Sequence, residues 1–204
     1  MKRLAFSDDM MRALAAGEKS MTRRPEKRAV SPEMLQVCLD GSIQVRGATT
    51  VVGIPEGTAF RPRFKVGDLV AATCAYLRVI NIKTGRIEET NHVEIWYRFQ
   101  QHGEHAGLQY KTSRVMPSAL APFVLRITDV KAEKLGEISE LDAEREGAVE
   151  WFELAAGVST IEKRILAAEC FAELWNHVYG AGAWNRDRSS WVWAISFEIA
   201  ERRI

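Results

Sequence analysis

Between a glycine at position 17 and a proline at position 25 lies the run Glu18-Lys19-Ser20-Met21-Thr22-Arg23-Arg24. It offers an amine, two guanidinium groups and two hydroxyls in a stretch too short and too charged to read as core. It belongs to a basic segment: residues 1–28 hold Lys2, Arg3, Arg12, Lys19, Arg23, Arg24, Lys27 and Arg28 against Asp8, Asp9, Glu18 and Glu26, a local excess of +4. Arg61, Arg63 and Lys65 form a second basic run. The whole chain carries a formal charge of only +1, so any pull on phosphates must be local. Acidic residues gather over 133–153, so the surface charge is expected to be polarised. Tyr97, Trp96 and Trp184 are the aromatics least committed to an apolar stripe, and such rings can stack on bases.

Other chemistries find less support. His102-Gly103-Glu104-His105 places two histidines beside an acid, but without the H-E-x-x-H helical frame or partner cysteines it reads as a surface loop. His92 and His177 stand alone. Gly53 and Gly57 lack the Lys-Ser/Thr ending of a phosphate loop, and no G-x-G-x-x-G occurs. Cys38, Cys74 and Cys170 are an odd number, far apart, which argues against a disulfide framework or a zinc cluster and fits a reducing compartment. No metal and no cofactor is expected. No apolar run reaches the roughly 18 residues that cross a membrane, and the amino terminus lacks a signal-peptide core, so the expectation is a cytoplasmic protein with no membrane partner.

The elements that must position these groups can be read from periodicity. Ser7 caps a short helix with Asp8 and Asp9 in its first turn, a Met10, Met11, Leu14 stripe, and Gly17 as its stop. Residues 34–46 alternate around Asp40-Gly41 as a hairpin. Residues 47–64 read as a loop with one edge strand at Thr50–Ile54. Leu69–Thr73 is a buried strand that continues through Tyr76–Ile82; 87–99 is an amphipathic strand pair, and 100–114 a polar connection. Phe123–Val130 is a strand. Ser139 and Asp142 open a short helix that ends at Gly147. Thr160–Val178 reads as the longest helix, with Ile161, Ile165, Phe171, Trp175 and Val178 on one stripe. Trp191–Ile199 alternates as the clearest strand. Short strands with peripheral helices imply an α+β protein built on a curved sheet or small barrel.

Four blocks, in order, resemble the ASCH family of the PUA-like superfamily. They are Gly17-Glu18-Lys19-Ser20-Met21-Thr22-Arg23-Arg24; Val66-Gly67-Asp68-Leu69-Val70; Pro117 through Pro122 with Arg126–Val130 and Glu133 through Gly147; and Phe171, Leu174, Trp175, Trp184, Trp191, Trp193 and Phe197. The first is close to the phage-like form of the family signature. One departure stands out: Ala71-Ala72-Thr73-Cys74-Ala75-Tyr76 replaces the W-V-R-E-T-W strand of phage-like relatives.

The resemblance implies one ASCH domain over 1–204, a small mixed or antiparallel PUA-like β-barrel flanked by helices, with inserts at 30–60 and 80–115. It implies a polar cleft that binds RNA or a nucleoside. Amidohydrolases of the family remove the acyl group of N4-acetylcytidine, and motif matching places their catalytic lysine, threonine and glutamate on Lys19, Thr22 and Glu146. Arg23, Arg24, Arg61 and Arg63 are then the candidates for substrate binding. Two alternatives stay open: a non-catalytic RNA- or protein-binding module of a phage or prophage, and a single-strand ribonuclease.

Overall fold

The computed structural model describes residues 1–26, 35–45, 56–79, 95–97, 108–157, 159–163 and 165–203. The chain groups into two compact units: residues 1–17, 69–126 and 198–204, and residues 18–68 and 127–197.

In the first unit, β1 (Lys2–Ala5) runs parallel to β6 (Leu69–Thr73), with Lys2 opposite Val70. Residues 123–126 of β10 (Phe123–Lys134) pair antiparallel on the other side of β6. Helix α1 (Asp8–Ala16) follows β1 at once, its start fixed by Ser7 Oγ, which accepts from Met10 N at 3.4 Å. Gly17, at φ 87°, ends the helix by donating to carbonyls of its last turn. Met11 and Leu14 on the helix and Val70, Phe123 and Leu125 on the strands are fully buried, which gives this unit its core. A small sheet, β8-β7-β9, accompanies them: β7 (Tyr76–Val79) pairs with β8 (Ile95–Tyr97) and with β9 (Leu108–Lys111).

In the second unit, β11 (Trp191–Arg202) pairs antiparallel with β2 (Met21–Pro25), with Thr22 opposite Ile195 and Arg23 opposite Ala194. β11 has β10 as its other neighbour. A three-stranded meander holds β3 (Leu35–Val37), β4 (Ile43–Val45) and β5 (Ala59–Phe60). The helices are α2 (Glu140–Arg145), α3 (Ala148–Ala156), α4 (Thr160–Lys163), α5 (Ala167–Tyr179) and α6 (Ala183–Asp187). Phe171, Leu174 and Trp175 of α5 are buried with Ile127, Leu135, Val192 and Ile195 of this unit.

The α+β class agrees with the sequence, but the barrel does not close. The main sheet is ordered β1-β6-β10-β11-β2, and its edge strands each pair on one side only among the described residues. The expected helix over 160–178 is broken. Leu166 is extended (φ −75°, ψ 148°), and Glu140 Oε2 accepts from Ala167 N at 2.6 Å and from Ala168 N at 3.3 Å, so α5 has its own capped start. Ile161 is consequently 87% exposed rather than part of a core stripe. Cys74 and Ala75 interrupt the strand expected to run on from β6. β9 occupies part of the polar connection. The edge strand expected at 50–54 lies outside the described residues.

Gly136 marks a tight approach. Its N–H donates to Arg188 O at 2.7 Å, and a Cβ placed there would meet that carbonyl oxygen at 2.9 Å. Backbone cannot swing aside as a flexible side chain can. Gly136→Ala is therefore expected to lower stability by about 1–3 kcal/mol, read as a lower midpoint in thermal melting.

Candidate functional site

The polar run at 18–24 is not a solvated loop. Lys19, Met21, Thr22 and Arg23 are all buried. Ser20 explains the placement: its N–H donates to Arg145 O at 2.9 Å, at the end of α2, and its carbonyl accepts from Phe197 N at 2.9 Å, on β11. The segment is thus held between a helix end and a strand, and its side chains must find polar partners inside.

They find them on the acidic stretch. The Lys19 amine donates to Glu146 O at 2.6 Å and to Glu146 Oε2 at 2.9 Å. Glu146 caps α2, and Gly147 follows at φ 72°, a left-handed turn that a side chain would strain, before α3 begins. Arg23 reaches the other carboxylate oxygen, Glu146 Oε1, at 3.2 Å, Asp142 Oδ2 at 3.0 Å, and Glu133 Oε1 through Nε at 2.6 Å. Its guanidinium carbon lies 5.7 Å from the centroid of the Phe171 ring on α5. Lys131, half exposed, closes the outer side with bonds to Asp142 Oδ2 at 3.3 Å and Glu133 Oε2 at 3.2 Å. Arg145 lies 3.7 Å from Asp142 Oδ1.

The expected charge polarisation is therefore partly cancelled: two of the basic groups of residues 1–28 are spent on three carboxylates from residues 133–146. Burial sets the electrostatics of Lys19. Loss of hydration drives its pKa below the ordinary lysine value; Glu146 pulls the other way, and Arg24 and Arg23 reinforce the fall. At Asp142 burial favours the neutral acid, but Lys131 and Arg23 outweigh it and hold the pKa below the usual carboxylate value. Lys131 is shifted upward, because attraction to Glu133 and Asp142 overcomes its own partial burial.

Of the candidates from sequence, the structure brings Lys19, Arg23 and Glu146 together. Thr22 is buried on β2 between them in sequence, but Met21 Sδ accepts from Arg23 Nη1 at 3.3 Å, so Met21 and Arg23 share a face and alternation turns Thr22 to the other. No hydrogen bond among the described residues joins the Thr22 hydroxyl to Lys19 or Glu146. Arg24 is half-buried. Arg61 and Arg63 are exposed; Arg61 lies 3.8 Å from Asp40, and Arg63 sits 5.5 Å from the centroid of the Phe64 ring. Neither touches the Lys19 cluster among the described residues. Trp184 is half-buried and stands edge-on to Phe171 with centroids 6.0 Å apart. Trp96 and Tyr97 lie on β8, with side chains outside the described set; His92, His102, Glu104 and His105 lie outside the described residues altogether.

Sequence reading missed Glu133 and Asp142 as members of the site. Asp142 had a signal: it lies one helical turn before Glu146, on the same face. Glu133 had none, since its place depends on how far β10 continues past Val130.

No family model matches the chain, and no curated protein matches it. Two solved structures are similar to it. One is a protein of Enterococcus faecalis V583 assigned to the family model DUF984, at 11% identity and a TM-score of 0.41, covering 99% of this chain and 82% of that one. The other is an ASCH domain from Lactobacillus crispatus JV V101, at 12% identity and a TM-score of 0.32, covering 92% and 68% respectively.

Proposed function

We propose that the protein binds a nucleoside against the Lys19–Glu146 pair, whose side chains are buried so that the ligand must displace neighbouring groups to reach them, and hydrolyses the amide of an N4-acylated cytidine. One observation carries this reading: a buried lysine amine whose two near acceptors both belong to Glu146. An uncharged amine has two N–H bonds and one lone pair. With both N–H bonds engaged, the lone pair is left to take a proton from an attacking hydroxyl, and the loss of hydration that lowers the pKa favours that uncharged form.

The proposed step balances as follows. The nucleophile's oxygen bonds to the acyl carbon while Lys19 takes its proton. That proton crosses to Glu146 and from there to the leaving N4, as the C–N bond breaks. Cytidine leaves, and water releases the acid. Thr22 is the proposed nucleophile, which requires its hydroxyl to reach the Lys19 side of β2. Thr22→Ser is expected to retain turnover of N4-acetylcytidine and Thr22→Ala to lose it by about 100-fold or more. A Thr22→Ala protein as active as wild type would assign the attack to water instead.

A second reading is supported by the exposed Arg61, Arg63 and Lys65: a module that holds RNA by its phosphates. It predicts binding that weakens steeply with salt and no acyl transfer to water.

A further inference from the structure

We propose that Arg23 is a positioning residue for the Glu146 carboxylate: braced by Glu133 and Asp142 and backed by the Phe171 ring, its guanidinium holds Oε1 and leaves Oε2 to Lys19. A guanidinium has five N–H donors. Nε is spent on Glu133, Nη1 on Met21 Sδ and Glu146, and Nη2 on Asp142 and Glu133. None remains for a ligand phosphate or an oxyanion. Arg23 thus acts on chemistry only through what it holds.

What it holds is specific. Glu146 presents one oxygen to each cation, at 2.9 Å and 3.2 Å, so its rotation is fixed from both sides. The planar fork matters here: a lysine at position 23 would bring the charge but could not bridge Glu133, Asp142 and Glu146 at once. The groups facing Lys19 are Glu146 from the end of α2 and Arg23 and Arg24 from β2; those facing Arg23 are Glu133 from β10, with Lys131 beyond it, and Asp142 and Glu146 from α2. Removing Arg23 deletes a positive neighbour of Lys19 and leaves three carboxylates less compensated. Both changes favour the charged amine.

The chemical consequence rests on the hydrolase reading above, but the test does not depend on turnover. In protein labelled with 13C at the lysine ε-carbons, the Lys19 signal, assigned by its absence in Lys19→Met, is titrated in wild type, Arg23→Gln and Arg23→Lys. The midpoint is expected to rise by about half a pH unit or more in Arg23→Gln and to stay near wild type in Arg23→Lys. Equal midpoints in wild type and Arg23→Gln, whatever the loss in melting temperature, would reduce Arg23 to a structural prop and overturn the proposal. Should Arg23→Gln fail to fold, Glu133→Gln decides: removing that carboxylate is expected to lower the Lys19 midpoint, and an unchanged midpoint overturns the proposal equally. Where wild type hydrolyses N4-acetylcytidine, Arg23→Lys is expected to lose about tenfold or more in kcat with little change in KM, because geometry is lost while charge is kept. A wild type without turnover sinks the hydrolase reading and leaves the titration to judge Arg23 alone.

Discussion

Arg23→Ala is expected to cost about 3–5 kcal/mol, the range for removing one partner of a buried ion pair. The loss falls on three carboxylates at once. Glu146 retains Lys19, Glu133 retains the half-exposed Lys131, and Asp142 retains Lys131 and the half-exposed Arg145. The cavity left beside Phe171 adds to the cost, while water entering near Lys131 offsets part of it. In a chain of this size that destabilisation corresponds to a fall of roughly 6–20 °C in melting temperature. Differential scanning calorimetry measures it directly; a fall under about 2 °C would mean that the carboxylates were compensated by solvent all along. For comparison, losing the exposed Arg61–Asp40 pair at 3.8 Å is expected to change stability by less than about 1 kcal/mol.

Lys19→Met is expected to have the largest effect on activity and a smaller one on stability than Arg23→Ala. Methionine keeps most of the buried stem and removes an amine whose charge is opposed by its surroundings. Glu146 still has Arg23 as a partner. Loss of a general base typically lowers the rate by about 100-fold to 10,000-fold. The same substitution has a signature in stability against pH. Because the folded-state pKa of Lys19 lies below the unfolded value, the folded state binds fewer protons between the two. Stability from this group therefore rises with pH from the lowered value up to the ordinary lysine value of 10.5. Chemical denaturation at a series of alkaline pH values is expected to show this upward contribution in wild type and not in Lys19→Met. Turnover, in the same window, is expected to rise with pH as Lys19 loses its proton.

Much of the fold was legible because local signals were strong. Ser7 and Gly17 bounded α1, Asp40-Gly41 turned the β3–β4 hairpin, and alternation from Trp191 onward gave β11. Where the sequence misled, a tertiary contact overruled periodicity. The apolar stripe over 160–178 spans two helices because a glutamate from α2 caps the start of α5, partway along that stripe. α3 went unread because Gly147, taken as a helix stop, is also the residue before the next helix. The site was half legible. Basic side chains over 18–24 imply exposure by composition alone, and only the hydrogen bonds of Ser20 to α2 and β11 turn them inward. Sequence gave no measure of that, nor of where β10 ends, and so the Glu133 anchor of Arg23 stayed hidden.

The buried amine–carboxylate pair is most directly tested by incubating the folded protein with N4-acetylcytidine and separating the products by reverse-phase chromatography. Wild type is predicted to release cytidine and acetate in equal amounts, faster toward alkaline pH, and Lys19→Met, with unchanged circular dichroism, to release neither above the buffer rate. Intact substrate after incubation with folded wild type from neutral to alkaline pH, or equal release by Lys19→Met, would contradict the account.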